Sequence, residues 1–95
     1  MRESQIETRL KDKLTEVKGT KALALKFISP GFAGIPDRVI LLEGGRTIFV
    51  ELKAPDEEPR PLQQYRAIQL KKLGFEVYCI DSYEAVDKFI EEVSK

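Results

Sequence analysis

Histidine is absent from these 95 residues, and cysteine occurs once, at Cys79. Without an imidazole the chain has no Ser-His-Asp or Cys-His relay and lacks the commonest protein ligand for transition metals. A lone cysteine builds neither a disulfide framework nor a thiolate cluster, which reads as a reducing, cytoplasmic setting. Net charge is missing too, since 16 basic side chains cancel 16 acidic ones. The overall positive field that gathers nucleic acid for many proteins is therefore excluded, and any such affinity has to be local. No apolar run is long enough to span a membrane, and Met1-Arg2-Glu3 is not the start of a signal peptide. Carboxylates, lysine and a hard, oxygen-seeking cation remain as the available chemistry.

The length suits one domain over residues 1–95, with a modest core that a partner subunit would help to stabilise. Ile6, Leu10, Leu14 and Val17 recur at helical spacing between Arg2 and Lys18, and Gly19 can end that helix. Ala22 to Ser29 reads as a strand stopped by Pro30-Gly31. Val39 to Leu42 and Thr47 to Leu52 flank Glu43-Gly44-Gly45-Arg46, the signal of an antiparallel hairpin. Pro61 suits the first turn of a helix that runs to Leu73 and stops at Gly74. Phe75 to Ile80 is a further strand, reached through that helix. Asp81-Ser82 offers an N-cap for a last helix, with Val86, Phe89, Ile90 and Val93 as its buried stripe. The order is α-β-β-β-α-β-α, an α/β fold with a mixed sheet of about four strands flanked by helices.

The stretch that carries chemistry is Thr47-Ile48-Phe49-Val50-Glu51-Leu52-Lys53. Alternation places Glu51 and Lys53 on one face, so a carboxylate and an ammonium stand side by side at a strand end. Taken alone, such a pair is more often a surface salt bridge of little worth. Gly34-Ile35-Pro36-Asp37 adds a second carboxylate at the open end of the hairpin, and register decides whether the two acids meet. A two-residue turn at Gly44-Gly45 would pair Asp37 with Leu52 and point it away from Glu51. A three-residue turn, Gly44-Gly45-Arg46, pairs Asp37 with Lys53 and returns it to the Glu51 face. The second register, or an equivalent distortion near Pro36, is the expectation. Two carboxylates so placed can close on magnesium, whose oxygen ligands lie at about 2.1 Å.

Pro36-Asp37 followed by Glu51-Leu52-Lys53 resembles the signature of the PD-(D/E)xK nuclease superfamily. Gly34-Ile35-Pro36-Asp37-Arg38, then Val50-Glu51-Leu52-Lys53-Ala54, then Arg60-Pro61-Leu62-Gln63 is similar to the VRR-NUC (virus-type replication-repair nuclease) domain. The resemblance covers nearly the whole chain and implies a restriction-endonuclease-like core. It implies that Asp37, Glu51 and the Leu52 carbonyl hold Mg2+, with Mn2+ able to substitute, and that Lys53 is catalytic. It adds Glu7, approaching the metal through water, and Gln63 at the start of the second helix. Ser4-Gln5-Ile6-Glu7 also reads as a capping box, and Gln64 stands beside Gln63 as an alternative. Arg38, Arg60, Arg66, Lys71 and Lys72 are candidate phosphate contacts, although scattered basic residues are usually just solvated. The implied function is a homodimeric endonuclease for branched DNA such as four-way junctions. Flap or linear duplex cleavage and a non-catalytic nucleic-acid-binding domain are the alternatives.

Overall fold

Leucine and isoleucine spaced four apart give residues 3–15 a single apolar stripe, and Ile6, Leu10 and Leu14 are all buried. The computed structural model describes residues 1–16 and 22–94, in which this helix, α1, spans Glu3–Thr15. Val17, Lys18 and Gly19, expected to complete and end it, lie outside the described residues. Four strands follow the apolar runs: β1 (Ala22–Lys26), β2 (Arg38–Leu42), β3 (Arg46–Leu52) and β4 (Glu76–Ile80). Helix α2 (Pro61–Lys72) links β3 to β4, and α3 (Tyr83–Val93) closes the chain. Ser82 caps α3 by accepting the Ala85 amide at 3.0 Å.

The sheet order is β1-β2-β3-β4, with the first three strands antiparallel and β4 parallel to β3. This is the expected α/β architecture, and the parallel pair follows from the α2 crossover. Between β2 and β3 the turn is Glu43–Gly45, in which Gly44 and Gly45 both hold positive φ. Leu42 therefore pairs with Arg46 and Arg38 with Val50. The turn has three residues, as expected, but begins one residue earlier than Gly44-Gly45-Arg46. The pairing is two residues away from the anticipated one, and a shift of two leaves every side chain on its expected face.

Helices α1 and α3 cover one face of the sheet, burying Ile40, Leu42, Ile48, Val50, Leu52 and Ile80 against Ile6, Leu10, Val86, Phe89 and Val93. Each such side chain contributes roughly 1.5–3 kcal/mol by leaving water. Helix α2 lies on the opposite face and buries no residue completely. Tyr65, Leu62 and Leu73, which could have packed on the sheet, are all exposed, as is Cys79. The reason is a gap: Gln64, Ala67, Ile68 and Lys71 line a cleft against Val77, Tyr78 and Cys79 instead of closing on them. Phe27, Phe49 and Phe75 pack edge-to-face on that side, at 5.8 and 5.4 Å.

Candidate active site

Extending the pairing of Arg38 with Val50 by one step sets Asp37 opposite Glu51. Asp37 lies just outside β2 but stays tied to the sheet, because its carbonyl accepts the Phe27 amide at 2.9 Å. The two acids hold one another through the backbone. The Asp37 amide donates to Glu51 Oε2 at 3.0 Å, and the Leu52 amide donates to Asp37 Oδ1 at 3.2 Å. In an extended strand a residue's N–H and C=O point to the same side, so the Leu52 carbonyl, like its amide, is turned toward the β2 side of β3.

Glu51 is only 9% exposed. Burial pushes its carboxyl above the usual range and the Asp37 charge adds to this, while the Asp37 amide and Lys53 act against it. Lys53 Nζ lies 3.9 Å from Glu51 Oε1. Gln63 completes this side, with its Nε2 donating to Glu51 Oε1 at 2.7 Å. Its other amide atom, Oε1, accepts the Arg60 backbone N–H at 2.8 Å. The cap at the start of α2 thereby fixes which end of the amide points at Glu51. Gln64 instead donates to the Pro59 carbonyl at 2.8 Å.

Glu7 does not cap α1, because the helix starts earlier, where Gln5 Oε1 accepts the Arg2 amide at 2.6 Å. Its carboxylate instead meets the Arg38 guanidinium and, at 3.1 Å, Lys11 Nζ. Burial works to raise the Glu7 pKa, but the bonds from Arg38 and Lys11 and their charges outweigh it and hold the carboxyl below its ordinary range. Arg38, 7% exposed, also donates from Nη1 to the Asp37 carbonyl at 2.9 Å and lies 3.7 Å from Asp37 Oδ2. Glu7 and Asp37 thus line one cleft, joined through Arg38. Arg38, a candidate phosphate contact in the sequence, is thus a buried arginine that bridges two acids rather than a solvated one. The signal was its period-2 position, inward-facing between Asp37 and Val39.

The remaining basic candidates separate. Arg66 is engaged in structure: Nε donates to the Ala33 carbonyl at 3.0 Å and Nη1 to Gln69 Oε1 at 2.8 Å. Lys71 is exposed on the rim of the cleft that also holds Glu51 and Gln63. Arg60 is exposed at the α2 start, and Lys72 at its end. Asp56, Glu57 and Glu58 are all exposed in the β3–α2 loop. Sequence reasoning missed the packing role of Gly34. A Cβ there would sit 2.7 Å from Leu62 Cγ, so glycine lets the Pro36-Asp37 loop approach α2.

Among the described residues no three acidic side chains come together as a metal cluster. The oxygen donors at the site are Asp37, Glu51 and the Leu52 carbonyl, with Glu7 drawn toward Arg38. Magnesium commonly binds through one or two carboxylates and keeps several waters, so this donor set fits it.

A mixed α/β sheet presenting a Pro-Asp and a Glu-x-Lys at facing strand ends defines a nuclease domain of the PD-(D/E)xK class. No protein-family model matches the chain. It is similar to "Putative nuclease p44" of Acyrthosiphon pisum secondary endosymbiont phage 1, 43% identical over 84 residues that span 88% of this chain and 87% of that protein. It is also similar to a solved structure described as a VRR_NUC domain, with a TM-score of 0.82, 29% identity and 94% of each chain covered. The chain belongs to the VRR-NUC family.

Proposed function

We propose that this chain is a Mg2+- or Mn2+-dependent DNA endonuclease, selective for branched DNA and acting as a homodimer. The observation that carries the catalytic part is the reciprocal bonding of Asp37 and Glu51 across β2 and β3, with Lys53 beside them. Asp37, Glu51 and the Leu52 carbonyl would hold the metal, which when bound supplies charge for a non-bridging phosphate oxygen and a more acidic water.

The chain's own residues do the positioning. Gln63 holds Glu51 Oε1 and the Asp37 amide holds Oε2, so the carboxylate cannot swing. Each oxygen keeps a further lone pair for a cation. Lys53, largely buried, places an ammonium where negative charge builds on the phosphate. Arg38 fixes the Asp37 backbone from behind and ties it to Glu7 on α1. Glu7 shares a cleft with Asp37, which supports an approach to the metal through water. The exposed leucines of β1 and β2 support pairing of two copies.

The test is a panel of labelled four-way junction, flap, single-stranded and linear duplex DNA in magnesium or manganese. The reading expects paired incisions in the junction at a rate well above that for linear duplex. Equal cutting of all substrates would remove the branch selectivity, and binding without cutting under either metal would favour a non-catalytic domain.

A further inference from the structure

The loop from Ile28 to Pro36 is closed at its base by the bond between the Phe27 amide and the Asp37 carbonyl, so one of its ends is the catalytic aspartate itself. It stands between two clefts. Ile28 lines the one containing Glu7 and Asp37, and Gly34 and Pro36 line the one containing Glu51 and Gln63. Its outer side chains are the opposite of what a solvated loop should carry, with Ile28 79% and Phe32 47% exposed. Tyr65 on the neighbouring helix is 56% exposed.

These groups are held rather than loose. The Arg66 guanidinium lies 3.8 Å from the Phe32 ring centre and 5.7 Å from that of Tyr65. Arg66 Nε grips the Ala33 carbonyl, the Phe32 amide donates to the Ser29 carbonyl at 3.2 Å, and Gly34 abuts Leu62 and Arg66. An aromatic ring backed by a cation, half exposed and fixed in advance, is the arrangement on which nucleobases stack.

We infer that Phe32, backed by Arg66 and with Tyr65 beside the same guanidinium, is a stacking platform for a nucleobase lying outside the duplex stack, as at a branch, flap or bulge. This rests on the nuclease reading and deepens it by naming what the site recognises beside the scissile phosphate. A continuous duplex offers no free base face to such a ring. Stacking also suits a chain whose formal charge is zero, because it adds affinity without counterion release.

The test uses the whole chain in EDTA, with a continuous duplex and the same duplex carrying an unpaired 2-aminopurine. Affinity is read by anisotropy and stacking by quenching of the 2-aminopurine. Phe32→Leu keeps an apolar side chain to pack, and Phe32→Trp keeps a ring. Phe32→Leu is expected to lose quenching and to weaken binding of the unpaired substrate about tenfold, leaving the continuous duplex unchanged, while Phe32→Trp retains both signals. Cleavage of both substrates and of a four-way junction by the unaltered chain in magnesium is measured in parallel. If cleavage is present but Phe32→Leu keeps the preference, the platform is overturned and the nuclease reading stands. A change in sedimenting mass with Phe32→Leu would assign the patch to contacts between copies, which also overturns it. No cleavage of either substrate or of the junction overturns the nuclease reading, and this inference with it.

Discussion

Gln63 acts in two places at once. Its carbonyl oxygen satisfies the free Arg60 amide at the start of α2 and its amide nitrogen meets Glu51. Removing both bonds in Gln63→Ala should lower stability by about 1–2 kcal/mol, measured by urea unfolding. A loss no larger than that of Gln64→Ala would show that the cap and the Glu51 bond are not working together. Glu51 and Lys53 were legible as sharing a face because strand alternation decides it, whereas Asp37 joins them only through the hairpin register. Arg38 was not legible. A positive charge reads as solvated unless the opposing acid is known, and Glu7 lies 31 residues away in sequence. Glu7 itself was ambiguous because an acid in an early helical turn also suits a cap, and only the actual helix start removes that reading.

Among the elements, the hairpin and the Pro36-Asp37 loop set the site geometry. Gly34 has φ +88° and no room for a Cβ, so Gly34→Ala should cost about 1–3 kcal/mol and displace the loop that leads to Asp37. Thermal unfolding and the apparent magnesium affinity should fall together, and an unchanged midpoint would contradict the close packing. At the far end of the sheet Arg46 grips Glu76 with two bonds of 2.7 Å, joining the start of β3 to the start of β4. The Arg46 hydrogen bonds hold the Glu76 carboxyl below its usual range, with burial opposing and the Arg46 charge assisting. A carboxyl lowered on folding adds stability above its unfolded pKa, and loses it as pH falls through the folded value. Both partners are over a third exposed, so the effect is small. The melting temperatures of the parent and Glu76→Gln should differ slightly at neutral pH and converge in acid. A gap that widens in acid would contradict this assignment. Element order and type were readable from apolar periodicity and from glycine and proline. The turn position was not, because Glu43-Gly44-Gly45 and Gly44-Gly45-Arg46 both put glycine where positive φ is needed.

On the scale of the molecule, α1 and α3 cover one face of the sheet and α2 leaves part of the other bare. Leu23, 60% exposed, pairs across β1 and β2 with exposed Leu41, and Leu25 lies two residues along. Contiguous apolar surface of this kind is costly on a monomer, and two copies would remove it from water. Leu23→Glu should therefore convert a dimer to a monomer in analytical ultracentrifugation while preserving the fold by circular dichroism. A parent chain that sediments as a monomer at micromolar concentration would remove the homodimer from the proposal. The sequence could not reveal this bare face, because alternation marks a strand as half-buried without saying what covers it.

Asp37, Glu51 and Lys53 are proposed to form a metal-dependent centre that hydrolyses DNA. Single-turnover cleavage of a labelled four-way junction in magnesium tests this, with the parent chain, Glu51→Gln and Lys53→Ala compared alongside magnesium titrations by calorimetry. The parent is expected to cleave in a way that EDTA abolishes, with a loss of about a hundredfold or more in each variant. Magnesium binding should be weakened by Glu51→Gln but largely retained by Lys53→Ala. Cleavage that persists in EDTA, or is unchanged in Glu51→Gln, would contradict it.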